Sequence, residues 1–337
     1  MRKSTLFITM GVVLVLLGSL MFVLIMTFND WDFSKFKLSA SHTETIEITE
    51  DFADIYIETD VEDVVFLPSE DNKCKVVILS DDARDSCTQI KDNTLEIKLN
   101  GERKWHQVIF NKEEKVTVYL PKNKYNDLII KGSTSDIDIA ENLSFENLDI
   151  DITTGDVINR ADVSGFIKIE LTTGDVHNYS TCAGEVFISA TTGDIRLEGL
   201  RAVSVDIKTG SGDIEILNVI CSEYVNAKLS TGDAEIEELS CKNLTSNAST
   251  GYIEMRKVTI GEKLLIERST GDVHFGSVDA GEIKIVVSTG DVKGSFKTPK
   301  IFAVKSGTGN VDVPFYTSGG ICEISATTGD IKITVEE

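Results

Sequence analysis

The stretch EVFISATTGDIRLE, residues 185–198, contains the pattern that decides the fold. Apolar side chains alternate with other residues at Val186 and Ile188, and again at Ile195 and Leu197. Alternation with a period of two is typical of a β-strand that buries one face. Between the two runs stands Thr-Thr-Gly-Asp, whose glycine can adopt the positive φ that a tight corner requires. The stretch therefore predicts a strand, a corner and a second strand.

The same pattern returns along the C-terminal two-thirds of the chain, at intervals of 19 or 20 residues. Ser135 holds the glycine position of the first repeat. The predicted turn glycines of the later repeats are Gly155, Gly174, Gly193, Gly212, Gly232, Gly251, Gly271, Gly290, Gly309 and Gly329. A single repeat cannot bury its own apolar face, so we expect the repeats to stack about 4.8 Å apart with continuous inward columns. The sequence therefore predicts an all-β fold, a β-solenoid of about eleven coils in residues 132–337.

The two ends of the predicted solenoid differ from its middle. Residues 41–131 have strand-like segments but lack the Thr-Gly-Asp mark, so we expect an irregular β N-terminal part of the same domain. A solenoid needs covered ends, because an open end exposes unpaired backbone groups. At the other end we expect the last repeat to be outermost, where the charges of Glu336 and Glu337 discourage edge pairing.

An uncharged apolar run, Leu6–Phe28, precedes the β-rich part of the chain. About 20 such residues cross a hydrocarbon core of roughly 30 Å as a helix. A cleaved signal peptide is the alternative, but its apolar stretch is shorter, roughly 7–15 residues, and ends in a small-x-small site. We therefore expect a short cytoplasmic tail in residues 1–4, a transmembrane signal-anchor helix in 5–28 and a linker in 29–40.

The orientation of this helix is predicted from the positive charges near its ends. Arg2, Lys3 and the terminal amine precede the apolar run, while Lys35 and Lys37 follow it. Positive charges close to a span favour the cytoplasmic side. We expect the short tail inside and the bulk of the chain extracytoplasmic, in a single-pass protein of the cell membrane.

The composition is strongly acidic. The chain has 55 Asp and Glu against 33 Lys and Arg, which gives a formal net charge of −22. Nucleic-acid binding needs clustered cations, so nucleic acid is excluded as a partner. An acidic exterior is compatible with divalent cations, with basic partners or with solubility alone.

An aspartate follows the turn glycine in most repeats and should form a column along one edge of the solenoid. Its members are Asp136, Asp156, Asp175, Asp194, Asp213, Asp233, Asp272, Asp291 and Asp330. Carboxylates about 5 Å apart repel, so turn amides, water or bound cations must offset the repulsion. Calcium is one hypothesis, although one Asp per coil supplies few of its six to eight oxygen ligands. The other is a turn-forming role, and Tyr252 and Asn310 interrupt the column.

Two cysteines stand at equivalent positions of consecutive repeats. Cys221 and Cys241 each follow a turn glycine by nine residues. Stacking would place their Cα atoms about 5 Å apart, within the usual range of a disulfide. A location outside the cytoplasm would permit the bond, so Cys221–Cys241 is a candidate disulfide.

No motif in the sequence predicts catalysis. The chain has no G-x-S-x-G elbow, H-E-x-x-H or P-loop motif. Some β-helical enzymes use carboxylates on polysaccharides, but that chemistry needs a local cluster, whereas these carboxylates recur evenly along the repeats. We therefore predict no catalytic residue and no enzyme activity.

With the repeats laid out, the chain resembles the bacterial putative-adhesin family of unknown function, also called toast-rack domains. The resemblance covers about residues 41–337. It depends on a strand that ends in Leu120-Pro121 and on the Thr-Thr-Gly-Asp motifs at residues 153–156, 172–175, 191–194 and 327–330. It implies a single-stranded right-handed β-helix, often attached to a membrane segment in Gram-positive envelopes. A binding or sensing role outside the cytoplasm is implied too, without a catalytic residue.

These observations lead to one functional hypothesis and two alternatives. The leading hypothesis is a non-enzymatic, membrane-anchored scaffold for binding, sensing or adhesion, with an envelope protein or a glycan of unknown identity as its partner. The alternatives are a structural solenoid that self-assembles end to end and a polysaccharide-active β-helix enzyme.

Overall fold

The computed structural model describes residues 3–28, 31, 42–80, 85–100, 114–181 and 184–336. One compact unit contains helix α1, Lys3–Phe28. Its segment Met10–Phe28 is long and apolar enough to cross a membrane. The predicted N-terminal helix is therefore confirmed. Apart from Trp31, the predicted linker lies outside the described residues.

The second compact unit contains all the described strands. They are β1 His42–Ile48, β2 Asp54–Thr59, β3 Asp63–Pro68, β4 Cys74–Ser80, β5 Asp85–Lys91, β6 Thr94–Asn100, β7 Lys115–Leu120, β8 Lys124–Thr134, β9 Ile137–Ile139, β10 Ser144–Thr154, β11 Val157–Asn159, β12 Asp162–Val163, β13 Phe166–Thr173, β14 Val176–Asn178, β15 Glu185–Thr192, β16 Ile195–Glu198, β17 Arg201–Ser211, β18 Ile214–Thr231, β19 Ala234–Thr250, β20 Ile253–Arg256, β21 Thr259–Thr270, β22 Val273–Thr289, β23 Val292–Phe296, β24 Lys300–Thr308, β25 Val311–Asp312, β26 Gly320–Thr328 and β27 Ile331–Val335.

The strands form a solenoid of about ten turns, which confirms the predicted fold class. Within the repeats, each strand pairs in parallel with its equivalent one coil away, so that Ile150, Ile169 and Ile188 are successive Cα partners. All three side chains are fully buried. Inward columns of this kind bury apolar area that no single coil could bury alone.

Gly193 shows why the corner between the strands requires glycine. Its φ is +140°, a conformation that side chains with a Cβ rarely adopt. A Cβ at this position would also overlap the carbonyl oxygen of Gly174, the turn glycine one coil earlier. The backbones of stacked coils therefore approach too closely at this corner for a residue with a Cβ. All ten predicted turn glycines have φ values between 126° and 150°.

The N-terminal part contains one regular coil that the sequence pattern did not reveal. Strands β2 and β3 pair in parallel with β8 and β9, although residues 69–123 lie between them in the chain. In this coil Glu62 stands at the position that the turn glycine holds in the later repeats. Its buried Oε2 accepts hydrogen bonds from Thr59 Oγ1, at 2.7 Å, and from the backbone N–H groups of Asp60 and Val61. The carboxylate satisfies donors of this turn from the position that glycine holds in the later repeats, while Asp63 keeps the place of the aspartate.

Antiparallel strands cover the N-terminal end of the stack. Strand β7 pairs with β3 on one side and with antiparallel β4 on the other, and β1 extends the same sheet. Strand β6 pairs with β2, and antiparallel β5 pairs with β6. These additions continue the hydrogen bonding beyond the first regular coil, as the need for a covered end predicts.

The order of the last two coils differs from the sequence expectation. Strand β26 lies between β22 and β24, and β27 lies between β23 and β25. The last coil in the sequence is therefore inserted, and the coil of β24 and β25 is outermost. The expectation that the last repeat would end the stack is wrong.

Two features accommodate this insertion. At Gly319 and Gly320, which lead into the inserted coil, an added Cβ would overlap backbone carbonyl groups of Pro299 and Gly281. Lys300 is buried at the start of β24 and donates from Nζ to Asp279 Oδ1 at 2.5 Å and to the carbonyl oxygen of Ala280 at 2.7 Å. These bonds tie the outermost coil to the far side of the inserted one.

We predict that Gly193→Ala destabilises the solenoid by about 1–3 kcal/mol, because alanine at this φ is strained and its Cβ meets the neighbouring carbonyl. Thermal unfolding of the full chain in detergent micelles, followed by circular dichroism at the β-sheet minimum, measures the loss. Gly276→Ala is the matched control, since Gly276 lacks a positive φ and its added Cβ meets nothing within 4 Å. Equal melting temperatures for the two variants would contradict the corner argument.

Candidate functional site: the aspartate column and the acidic face

The aspartates after the turn glycines form the expected column, and each is bonded to its neighbour. Asp175 Oδ1 accepts a hydrogen bond from the backbone N–H of Asp194 at 2.8 Å, and Asp194 Oδ1 accepts one from that of Asp213 at 2.7 Å. The same contact links Asp63 to Asp136, Asp136 to Asp156, Asp156 to Asp175, Asp213 to Asp233, Asp233 to Tyr252, Asp272 to Asp291, Asp291 to Asp330 and Asp330 to Asn310.

This ladder explains how a column of like charges is tolerated. A carboxylate that accepts an N–H forms a charge-assisted hydrogen bond, which is stronger than a neutral one. The bond also gives an acceptor to a corner amide that lies outside the strands. Each of these aspartates therefore accepts the corner amide of the next coil outward, which is the contact that the turn-forming hypothesis requires.

The geometry fits calcium less well. Calcium takes about six to eight oxygen ligands, whereas one oxygen of each carboxylate in the ladder already accepts an amide. Among the residues that the structure describes, no three His, Cys, Asp or Glu side chains are arranged to hold a metal ion. The described geometry therefore favours the turn-forming role.

Tyr252 is the one aromatic residue in the column. Its N–H donates to Asp233 Oδ1 at 2.9 Å, but a phenol ring offers no oxygen at the place where the next corner amide lies. Burial raises the pKa of the Tyr252 hydroxyl, and the nearby carboxylates of Asp233, Glu235 and Glu254 raise it further. The phenol is therefore neutral within a strongly negative surface.

An acidic face combines two aspartates of the column with glutamates on the outer side of the strands that follow the corner. We define it by six residues whose side chains point the same way on consecutive coils: Asp213, Glu215, Asp233, Glu235, Glu237 and Glu254. Glu215, Glu235 and Glu254 are successive Cα partners. Like charges directly opposite on neighbouring strands destabilise a sheet, so this arrangement has an energetic cost.

Two arginines offset part of this charge. Arg196 Nη1 lies 2.6 Å from Glu215 Oε2, and Arg256 lies 2.5 Å from Glu254 and 3.1 Å from Glu235. Six carboxylates against two guanidinium groups still leave the acidic face negative. The four glutamates are between 33% and 41% exposed and so remain accessible to a partner. The signal for this face is in the sequence, where glutamate stands three residues after the turn glycine in three consecutive repeats.

The candidate disulfide is not formed in the structure, where Cys221 and Cys241 are both free and buried. Cys221 Sγ donates to the carbonyl oxygens of Val203 and Tyr224, at 3.0 and 3.1 Å. Cys241 Sγ donates to that of Asn243 at 3.3 Å. The coil register shifts just after these positions, and each thiol bonds the irregular backbone instead of the other sulfur. Burial raises the pKa of Cys241 to about 12, so its thiol is protonated.

We predict that Asp194→Ala lowers stability by about 0.5–1.5 kcal/mol, because the amide of Asp213 loses its acceptor. Asp194→Asn is the matched control: it keeps an acceptor oxygen and removes a like charge, so its melting temperature should stay near that of the unchanged chain. Both melts are repeated with millimolar calcium. A calcium-dependent rise in melting temperature that Asp194→Asn abolishes would contradict the turn-forming role.

Comparison with known proteins identifies the family. The family model described as Toastrack DUF4097 matches residues 52–236 and 221–337. A search of proteins with curated functions gave no match.

Several solved structures are similar to this chain at low identity. A putative adhesin from Parabacteroides distasonis is 13% identical, with a TM-score of 0.48, and the match covers 88% of this chain and 98% of that one. A putative adhesin from Bacteroides fragilis is 15% identical, with a TM-score of 0.34 and the same coverage. A putative lipid binding protein from Parabacteroides distasonis is 15% identical, with a TM-score of 0.39, and the match covers 87% of this chain and 97% of that one.

These likenesses are too distant to carry a function to this chain. The family assignment depends instead on the family model, whose two matches together span more than half of the sequence. The stacked Thr-Gly-Asp corners described above lie within those matches. The chain belongs to the Toastrack DUF4097 family.

Proposed function

We propose that this protein is a non-enzymatic scaffold of the cell envelope that binds a cationic partner along its acidic face. The observation that carries the proposal is the surplus of carboxylates on consecutive coils at Glu215, Glu235 and Glu254. An unbound protein gains no stability from this surplus, since like charges on neighbouring strands repel. A partner with matching positive charges would remove the repulsion.

The solenoid suits such binding because its strands hold the carboxylates at a fixed spacing. Neighbouring strands lie about 4.8 Å apart, so the acidic face is a regular array rather than a set of mobile charges. Complementary charge speeds association and aligns a partner along the array, and its effect weakens as salt is added. A flexible polycation, such as a lysine-rich segment of an envelope protein, has the required chemistry.

The N-terminal helix supports the proposed location. The length and apolar composition of Met10–Phe28 support a membrane anchor. Arg2 and Lys3 before the apolar run support a short tail inside and the solenoid outside the cytoplasm. In this arrangement the helix anchors the chain in the membrane.

The non-enzymatic part of the proposal is supported by how the carboxylates are used. Carboxylates of the ladder accept corner amides, and Glu215, Glu235 and Glu254 lie in ion pairs with arginine. General acid–base catalysis instead needs a carboxyl whose surroundings differ from those of its neighbours. The repeats provide the same surroundings many times over.

We predict that the triple variant Glu215→Gln, Glu235→Gln and Glu254→Gln weakens binding of a fluorescent decalysine peptide roughly tenfold at low salt, because three of the six carboxylates are lost. Fluorescence anisotropy with the full chain in uncharged detergent micelles measures the dissociation constant. The affinity of the unchanged chain should fall steeply as salt rises.

The matched control removes three exposed carboxylates elsewhere, at Glu141, Glu146 and Glu185, by the same change to glutamine. This control should bind within about twofold of the unchanged chain. Equal weakening by both triple variants would mean that total charge, and not the acidic face, attracts the peptide. Absence of binding by the unchanged chain would overturn the proposal.

A further inference from the structure

The C-terminal end of the solenoid is open, in contrast to the N-terminal end. Within the part of the chain that the structure describes, β24 pairs only with β26 and β25 pairs only with β27. In inner coils the amide of the turn glycine donates to a carbonyl one coil further out, as from Gly290 to Thr328 and from Gly329 to Thr308, both at 3.0 Å. Gly309 belongs to the outermost of the described coils, and among the described residues no coil lies beyond it. Such an edge is a template for another strand.

The open end also leaves part of the apolar core uncovered. Phe302 and Val304 occupy the inward columns of β24 but are only half-buried. Their equivalents in the inserted coil, Cys322 and Ile324, are at most 1% exposed. Phe315, three residues after β25 of the same coil, is 88% exposed. One more stacked layer would bury Phe302 and Val304, as it buries their equivalents in the interior of the solenoid.

The charge of this end differs from that of the whole protein. Residues 300–320 contain two lysines and one aspartate, Asp312, in a chain whose formal net charge is −22. Asn310 takes the place of aspartate at the outermost corner, so the column ends without a carboxylate. A second copy of this chain would be repelled along the acidic face but not here.

The covered end disfavours the simplest polymer. Strands β1 and β5 are the two edges of the described antiparallel cover. Strand β1 carries Glu44 and Glu47, and short charged edge strands resist pairing. Head-to-tail stacking would have to join both edges to the open end. A contact between two open ends has two-fold symmetry and closes on itself. It gives a dimer rather than a filament.

We propose that the open end is a self-association surface, at which β24 pairs antiparallel with β24 of a second copy. The second copy presents a coil with the same cross-section and the same uncovered Phe302 and Val304. A coil has 19 or 20 residues, close to the roughly 20–30 residues on each side of a standard protein interface. Backbone bonding along β24 aligns the copies, and burial of the apolar columns stabilises the pair.

The test is the mass of the full chain in detergent micelles, measured by light scattering with the detergent contribution subtracted, over a hundredfold range of concentration. The unchanged chain should be a dimer that dissociates on dilution. Val304→Lys places a charge at the inward position of the open edge and should raise the dissociation constant at least tenfold. Ala303→Lys is the matched control, because Ala303 is on the same strand but is exposed on its outer face. It should change the dissociation constant by less than threefold.

Two further measurements separate this contact from loss of folding and from association through α1. Val304→Lys should melt near the temperature of Ala303→Lys, because the lysine can reach solvent through the open end. Phe315→Ser, outside every strand, should also weaken the dimer. A monomer at all concentrations, a mass beyond a dimer, or a dimer that both Val304→Lys and Phe315→Ser leave intact would each overturn the proposal.

Discussion

The close approach of stacked backbones at the corner is the constraint on which the rest of the structure depends. Parallel strands about 4.8 Å apart leave room for side chains within the strands but not for a Cβ at the turn. This lack of space explains why glycine occupies position 193 and the equivalent positions of the other repeats. The aspartate follows as well, because a corner amide needs an acceptor and the carboxylate one coil earlier supplies it. One repeated tetrapeptide therefore fixes both the shape of each coil and its attachment to the next.

The same constraint connects the fold to its surfaces. Because each coil repeats the geometry of its neighbours, any residue type that recurs at an outward position becomes a continuous stripe. Glu215, Glu235 and Glu254 become a charged array in this way. The stack of coils also has two ends, and these ends differ in structure. Antiparallel strands cover the first regular coil, whereas β24 is left with a free edge and a half-buried Phe302.

Much of this architecture could be predicted from the sequence, because a period of 19 or 20 residues determines which side chains share an inward column. The coil of β2 and β3 could not, since Glu62 satisfies its turn without the glycine mark. The inserted last coil could not either. Every repeat has the same strand pattern, so β22 could pair equally well with the next repeat or with the one after it. The glutamates of the acidic face were visible in the repeats, but their shared surface required the corner geometry.

Amide hydrogen exchange at single-residue resolution tests the central claim most directly. The N–H groups of Asp194 and Asp213 lie at exposed corners, outside the strands, yet each donates to a carboxylate of the preceding coil. They should exchange as slowly as the neighbouring strand amides, and far more slowly than the exposed segment around Phe315. Exchange of these corner amides at the rate of an unstructured peptide would contradict the account, because the aspartates would then not hold one coil to the next.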